Sequence, residues 1–141
     1  QLLCGGGSES AATGTCVAGW MGNTFRSTVQ QPIPDGRGAL DAPLVVRGLA
    51  SVPTDLAVVP MIHHGRRQDL RITLLNPSGT PSVIFDRVGS GWWIPGERIV
   101  VRSFPSDESV NGRWTLRVED LAAGTAGTLA SWSMDVISRW D

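Results

Sequence analysis

Short alternating apolar segments, each ended by turn-forming residues, constrain the fold of this chain more than any other feature. From about Thr28 onward, apolar and polar residues alternate or apolar residues run in short blocks, which is typical of β-strands and not of helices. This pattern predicts eight strands. They cover Ser27–Ile33, Ala39–Leu49, Asp55–His64, Leu70–Asn76, Ser82–Val88, Arg98–Phe104, Arg113–Glu119 and Leu129–Ser138.

The predicted strands have one apolar face each. Leu70, Ile72 and Leu74 lie on one side of their strand, because side chains alternate between the two faces of a sheet. The residues Asn-Pro-Ser-Gly at 76–79 predict a tight turn that joins this strand to the next as a hairpin. No helix longer than a turn is predicted, since glycines interrupt the alanines of 121–127. The pattern predicts an antiparallel two-sheet sandwich of jelly-roll or immunoglobulin-like topology.

Length and charge narrow the classes of function. The 141 residues suffice for one domain with its own core. Twelve basic residues, all of them arginine, stand against thirteen acidic ones, so neither nucleic acid nor an anionic membrane is expected as a partner. No apolar run approaches the length of about 20 residues that a transmembrane span needs.

The two cysteines, Cys4 and Cys16, lie in a segment over residues 1–27 that the strand pattern hardly includes. Small residues between them form a flexible loop in which the two sulfur atoms can meet in disulfide geometry. We interpret the pair as a disulfide, which implies an oxidising compartment outside the cytoplasm. Two free thiols are the alternative, and a zinc site is disfavoured because closely spaced ligands are lacking. The predicted organisation is a disulfide-closed loop or linker over 1–27 and a sandwich over 28–141.

Three motifs follow one another along the predicted strands. The first is Ile-Pro-Asp at 33–35, and the second runs from His64 through Asp69-Leu70 to the Pro-Ser-Gly-Thr turn at 77–80. The third combines Asn-Gly-Arg-Trp-Thr-Leu at 111–116 with Gly-Thr-Leu-Ala-Ser-Trp-Ser at 127–133. In this order they resemble the P domain, or P/Homo B domain, of proprotein convertases and of bacterial kexin/subtilisin-like secreted proteases.

The resemblance implies an eight-stranded jelly-roll β-sandwich attached to the catalytic domain of a secreted protease, often a subtilisin-like serine endopeptidase. It implies that this chain is not itself the enzyme but stabilises the catalytic domain or helps it mature, with a contribution to the binding of a protein substrate as a further expectation. The resemblance further implies structural calcium as a cofactor. The catalytic protease domain of the parent chain is the expected partner, and secretion is the expected localisation.

His63 and His64, followed by Asp69, suggest a Ser-His-Asp site. Neighbouring residues of a strand face opposite sides, so only one histidine could join such a site, and the sequence has no Gly-x-Ser-x-Gly nucleophile motif. We therefore expect His64 to be a structural residue that hydrogen-bonds a neighbouring strand or loop.

Asp69 and Asp120 are the candidate calcium ligands, because Ca²⁺ takes several oxygen ligands that loops can supply. The alternative is that both residues lie at strand ends, where they cap turns or pair with arginine. Arg66 and Arg67 form a dibasic pair that resembles a furin-like cleavage or docking site. We interpret it instead as a solvated pair in the loop before Asp69.

Trp92 and Trp93 lie between glycines in a predicted loop. Exposed aromatic rings there could bind a sugar or a partner protein, which gives an alternative function as a jelly-roll carbohydrate- or protein-binding module. The other interpretation is that one or both rings cover an open end of the sandwich.

Overall fold

Two antiparallel sheets form a sandwich in the computed structural model, which describes residues 16–17, 20–48, 52–101 and 109–139. The strands, numbered in chain order, are β1 Cys16–Val17, β2 Trp20–Ser27, β3 Gln31–Ile33, β4 Leu40–Val46, β5 Val52–His64, β6 Leu70–Leu75, β7 Pro81–Asp86, β8 Ile99–Val101, β9 Gly112–Asp120 and β10 Gly127–Arg139.

The larger sheet is built on its two longest strands. β5 and β10 have 13 residues each and pair along most of their length. The order of this sheet is β1-β2-β10-β5-β8, with β3 also paired to β10, and the order of the smaller sheet is β4-β9-β6-β7. β7 and β8 are the last strands in these orders, and they contact each other on one side of the sandwich.

The predicted all-β sandwich is confirmed, but the predicted number of eight strands is wrong. The described residues contain nine strands of three residues or more, besides the two-residue β1. The predicted strand Ser27–Ile33 is divided between the end of β2 and β3. Both fit on one partner because β10 is long: it pairs with β3 through residues 127–129 and with β2 through 132–139. Residues 20–27, predicted as part of a loop or linker, therefore contribute a strand to the larger sheet.

The predicted hairpin at the Asn76 turn is confirmed. β6 and β7 pair on either side of it, and the Asn76 side-chain oxygen accepts hydrogen bonds from the backbone N–H groups of Ser78 and Thr80. Gly79 has φ of 87°, a conformation that L side chains rarely adopt. The one helical turn among the described residues is a 3-10 turn at Arg67–Asp69.

The core lies between the sheets and is formed by the predicted apolar faces. Its most deeply buried side chains include Leu70, Ile72, Leu74, Trp114, Leu116, Leu129, Trp132 and Met134. Burial of each such side chain stabilises the fold by roughly 1.5–3 kcal/mol. The indole N–H of Trp114 donates a hydrogen bond to the Val110 carbonyl at 2.8 Å. This core is the frame from which the connecting loops project.

The predicted disulfide falls on residues that the structure does not describe. Neither Cys4 nor the side chain of Cys16 lies within the described part of the chain. Within the described part of the chain, no helix is long and apolar enough to cross a membrane.

Candidate functional site

Several connections between strands lie at one end of the sandwich, which we call the loop end. β5 ends at His64, opposite Gly127 at the start of β10. β9 ends at Asp120, opposite Leu70 at the start of β6. The four connections that begin or end beside these positions are 34–39, 65–69, 87–98 and 121–126.

A buried histidine–aspartate pair lies beneath the loop end. His64 Nε2 is 2.9 Å from Asp120 Oδ2, and both side chains are completely buried. The backbone N–H of Arg66 donates to His64 Nδ1 at 3.1 Å, so Nδ1 carries no proton and Nε2 donates to the carboxylate. The second Asp120 oxygen accepts from the backbone N–H of Ala122 at 3.1 Å. The pair therefore ties the connections 65–69 and 121–126 to each other.

The two neighbouring histidines have opposite environments, as strand alternation predicts. His64 is buried and His63 is exposed on the other face of β5. The hydrogen bonds of His64 agree with the structural role expected for it, since both of its ring nitrogens already have partners within the fold.

Asp69 and Asp120, the predicted calcium ligands, lie near each other: Asp69 directly precedes β6, and Asp120 ends β9 opposite Leu70. The Leu121 backbone N–H donates to the Asp69 carbonyl at 2.7 Å. The Asp69 carboxylate accepts from Arg66 Nε at 3.1 Å, and both Asp120 oxygens accept the hydrogen bonds given above. These contacts match the alternative prediction of turn capping and arginine pairing.

A calcium ion takes six to eight oxygen ligands. Among the described residues, no three His, Cys, Asp or Glu side chains come together in a way that could hold a metal ion. The donor set at Asp69 and Asp120 therefore does not fit a calcium site as it is arranged. Calcium binding stays a prediction, and it would require these hydrogen bonds to be exchanged for metal ligands.

Arg67 contradicts the prediction of a solvated Arg66–Arg67 pair. The Arg66 side chain is half exposed, but that of Arg67 is only 11% exposed and donates to both oxygens of Glu97 at 2.9 Å. The guanidinium carbon also lies 5.1 Å from the ring centre of Phe85 and 5.0 Å from that of Trp93, within the range of cation–π attraction. Arg67 is buried because paired charge and two aromatic faces replace its hydration.

Trp93 belongs to the core and not to the surface. Its side chain is 2% exposed, its indole N–H donates to the Pro60 carbonyl at 3.1 Å, and its ring packs edge-on against Phe85 at 4.8 Å. Its backbone N–H donates to the His64 carbonyl at 3.0 Å. The ring therefore covers the sandwich, as the second interpretation of the tryptophan pair proposed.

Trp92 has the opposite environment. It is 62% exposed and its ring meets the His63 ring edge-on, with 5.0 Å between the centres. A Cβ atom placed on Gly65 would lie 3.6 Å from Trp92 Cζ2, so the indole rests close to the backbone of that glycine. Val88 and Ile94, on the same connection, are also exposed.

The connection 87–98 is fixed to the 3-10 turn by several hydrogen bonds. The Arg67 backbone N–H donates to the Gly91 carbonyl at 2.7 Å, and the Gly91 N–H donates to Gln68 Oε1 at 3.2 Å. Arg67 Nε donates to the Val88 carbonyl at 3.0 Å. Trp92 thus lies on a loop whose backbone is hydrogen-bonded both before it, at Gly91, and after it, at Trp93.

Asp135 on β10 holds the far end of this connection. Arg98 donates to one carboxylate oxygen, and Thr24 Oγ1 donates to the other at 2.6 Å. Burial raises the pKa of Asp135, but the hydrogen bonds from Thr24 and Arg98, together with the Arg98 charge, outweigh it and leave the pKa below its ordinary value.

The fold and the site define a class: an antiparallel β-sandwich domain whose buried polar groups hold its loops in place. Residues 53–136, more than half of the chain, match the proprotein convertase P-domain family. This chain belongs to that family, which confirms the resemblance seen in its motifs.

Longer bacterial proteins contain a segment similar to this chain. The chain is 32% identical over 135 residues to the transglutaminase-activating metalloprotease of Streptomyces mobaraensis, covering 89% of this chain and 17% of that protein. It is 32% identical over 115 residues to leupeptin-inactivating enzyme 1 of Streptomyces exfoliatus, covering 80% and 26%. The extracellular basic protease of Dichelobacter nodosus is 29% identical over 124 residues, covering 77% and 20%. The chain thus spans between a sixth and about a quarter of these relatives.

Solved structures share the fold. The serine protease of Aeromonas sobria, in complex with its chaperone, superposes with a TM-score of 0.74 at 20% identity, over 94% of this chain and 29% of that one. FlhE superposes with a TM-score of 0.64 at 16% identity, over 86% of this chain and 99% of that one. At these identities the likeness shows the fold alone.

Proposed function

We infer that this chain is the non-catalytic P domain of a secreted endopeptidase and that it stabilises the catalytic domain by packing against it. One observation carries this inference: a P-domain chain accounts for only 17–26% of relatives that include a metalloprotease and an extracellular protease. The remaining length of such relatives has room for a catalytic domain.

The polar residues at the loop end support a scaffold role. The side chains of His64, Asp120 and Arg67 form hydrogen bonds with neighbouring loops and strands of the same domain. A general base needs a free lone pair directed at a substrate proton, whereas Nδ1 of His64 accepts from the backbone and Nε2 donates to Asp120. The chemistry of proteolysis is accordingly assigned to the parent catalytic domain.

The chain is similar to parts of both a metalloprotease and a serine protease. A subtilisin-like serine enzyme is expected from the motifs, but the relative at 32% identity over 89% of the chain is a metalloprotease. The serine protease structure is only 20% identical, so sequence similarity favours a metal-dependent parent enzyme. Inhibition of the secreted parent by 1,10-phenanthroline and not by phenylmethylsulfonyl fluoride is expected, and the reverse pattern would assign it to the serine class.

The stabilising role is tested in the parent enzyme with and without this chain. Because domain contacts that form only in the folded state slow unfolding, removal of the P domain is expected to shorten the half-life of thermal inactivation and to lower the yield of mature enzyme. Trp93→Ala, which removes a core ring of the P domain, is expected to act in the same direction, with Val45→Ala on the exposed face of β4 as control. Equal half-lives and equal maturation for the truncated and intact enzymes would contradict the inference.

A second candidate function rests on Trp92. Its exposure on a fixed loop is what a binding module for protein or carbohydrate would show, whereas the buried Trp93 takes no part in it.

A further inference from the structure

A groove runs along the side of the sandwich where β7 and β8 meet, and we call it the β7–β8 groove. Its volume is about 420 Å³. It is lined by two runs of neighbouring residues, 83–86 of β7 and 97–100 at β8, together with Arg67 and Val88. Neighbouring residues of a strand point to opposite faces, so a wall of consecutive residues includes the strand backbone as well as side chains. The groove is therefore one surface, formed by the edges of both sheets.

The two edges lack the usual protection of edge strands. In the described part of the chain, β7 pairs only with β6 and β8 only with β5. An edge strand directs alternate backbone groups away from its one partner, and natural edges are usually protected by charge or proline. The opposite edge of the smaller sheet, β4, contains Asp41 and Pro43 within its length. Residues 82–85 and 99–101 contain neither a charged residue nor a proline.

The lining of the groove favours an uncharged, apolar occupant. Its three valines, at positions 83, 88 and 100, are each more than half exposed. The charged residues of the lining are already paired: Arg67 with Glu97, Asp86 with Arg71 and Arg87, and Arg98 with Asp135. An ionic partner would have to displace one of these pairs or lose its own hydration beside apolar side chains.

The shape of the groove suits one extended segment better than a second copy of this chain. Two sandwiches that meet edge to edge bring both layers together at once, because the sheets of each lie about 10 Å apart. The register of β7 shifts between Ile72 and Thr73 of β6 and leaves Ile84 without an opposite residue, and such a bulge disrupts a regular ladder. A single segment needs only one edge, and β8 pairs with β5 in unbroken register.

A permanently attached segment is favoured over a transient partner. Edge strands without charge, beside exposed apolar side chains, promote aggregation when they are left uncovered. A substrate would leave the groove uncovered whenever none is bound. This chain spans only 17–26% of its relatives, so the remaining length of such a parent can supply a segment. A tethered segment reaches an effective concentration in the millimolar range without any additional contact.

We propose that the β7–β8 groove binds an extended segment of the parent chain from outside this domain, which adds a strand to the free edge of β8. The proposal rests on the inferred function as the P domain of an endopeptidase, and it names the surface and the kind of contact that join the domain to the rest of the enzyme. The main chain of the segment pairs with β8, and its apolar side chains contact Val83 and Ile84 across the groove.

Hydrogen exchange of the intact parent enzyme and of the 141-residue chain tests the added strand. Those backbone amides of residues 99–101 that face away from β5 should exchange about tenfold or more slowly in the parent, because they are hydrogen-bonded only there. The amides of β4, the opposite edge of the smaller sheet, are the internal control and should change little. Equal exchange at 99–101 in the two proteins, or equal slowing at β4, would overturn the proposal.

The same measurement distinguishes the other occupants. Slow exchange at residues 99–101 in a concentrated solution of the 141-residue chain, together with a dimer in sedimentation, would assign the groove to a second copy. Slow exchange that appears only after addition of reduced and carboxymethylated lactalbumin, an unfolded protein, would assign it to substrate. Either result would overturn the proposal.

Val100→Lys tests whether the added strand stabilises the enzyme. A lysine at the edge of β8 opposes strand addition, so the half-life of thermal inactivation of the parent is expected to fall about threefold to tenfold. Urea unfolding of the 141-residue chain should hardly change, because Val100 is exposed. Val100→Ile should retain the half-life, and Val29→Lys, exposed between β2 and β3, is the matched control. Equal half-lives for Val100→Lys and Val29→Lys would contradict the proposal.

Failure of this proposal can be distinguished from failure of the stabilising role. If removal of the whole P domain shortens the half-life of the parent but Val100→Lys does not, the stabilising role stands and the strand addition is refuted. If removal of the P domain leaves the half-life unchanged, the stabilising role is refuted, and the exchange of residues 99–101 still decides whether the groove is occupied.

Discussion

Trp92 and Trp93 are neighbours in one connection, yet Trp92 is exposed at the surface and Trp93 is buried in the core. Trp93 is enclosed by Phe85, Arg67 and the Pro60 carbonyl, whereas Trp92 meets only the edge of His63 and the backbone near Gly65 among the contacts described. The same division separates buried His64 from exposed His63. Adjacent residues of one type can therefore have separate roles, one packing in the core and the other exposed at the surface, provided that the backbone between them is fixed.

The largest effect is expected from the inner member of the tryptophan pair. Trp93→Ala should lower the free energy of unfolding by about 3–5 kcal/mol, because it empties a core site and leaves the Pro60 carbonyl without its indole donor. Trp92→Ala should change it by less than about 0.5 kcal/mol, as is usual at exposed positions. Urea unfolding measures both free energies. Similar losses of stability in the two variants would contradict the assignment of Trp93 to the core and Trp92 to the surface.

A smaller loss is expected when the buried partner of His64 is changed. Asp120→Asn places an amide N–H₂ against either the His64 N–H or the Ala122 N–H, since one carboxylate oxygen becomes a donor. A buried donor without an acceptor costs about 1–3 kcal/mol, measured again by urea unfolding.

Asp35→Asn is the matched control for this variant. Asp35 is exposed at the loop end and accepts from the Gly124 N–H, a bond that an amide oxygen can also accept. Its stability should stay within about 0.5 kcal/mol of the wild type. If Asp120→Asn also left the stability unchanged, the His64–Asp120 pair would not hold the loops in place as described.

Arg67→Lys tests whether the exposed tryptophan depends on the buried arginine. A lysine cannot make the two-point contact with Glu97 or stack between two rings, so a loss of about 1–2 kcal/mol is expected from one charged hydrogen bond and the cation–π contacts. The hydrogen-exchange rates of the backbone amides of residues 88–93 should increase more than those of β6. Arg66→Lys, at the half-exposed neighbour, should leave both quantities nearly unchanged.

The smallest effect concerns pH. The pKa of Asp135 is lower in the folded protein than its ordinary value of about 3.9, so its contribution is complete above that value and is lost as the pH falls through the folded-state pKa. Asp135→Asn should therefore be less stable than the wild type by under about 1 kcal/mol at pH 7, and the difference should shrink below about pH 4. A difference that grew on acidification would contradict the assignment.

Much of the fold could be predicted from local patterns. The alternation in β6 and β10, the Asn76 hairpin and the opposite faces of His63 and His64 all follow from a period of two residues and from turn chemistry. The division of residues 27–33 between β2 and β3 could not be predicted, because it depends on how much of β10 each segment covers.

The site was predicted less completely than the fold. Arg67 and Glu97 are 30 residues apart, and no local pattern links them. Trp92 and Trp93 lie in a loop, where no strand period assigns one ring to the core. The calcium prediction relied on the residue types of Asp69 and Asp120, whereas their oxygens accept hydrogen bonds in the described structure.

The sequence by itself determined an antiparallel sandwich and its membership in the P-domain family, because alternation and turn residues act over a few positions and recur in a fixed order. Only the tertiary structure decided that Arg67 is buried, that Trp93 packs in the core and that Trp92 is exposed at the surface. Those outcomes depend on contacts between connections far apart in the chain, where burial of a charge or a ring is favourable only if a distant partner arrives at the same place.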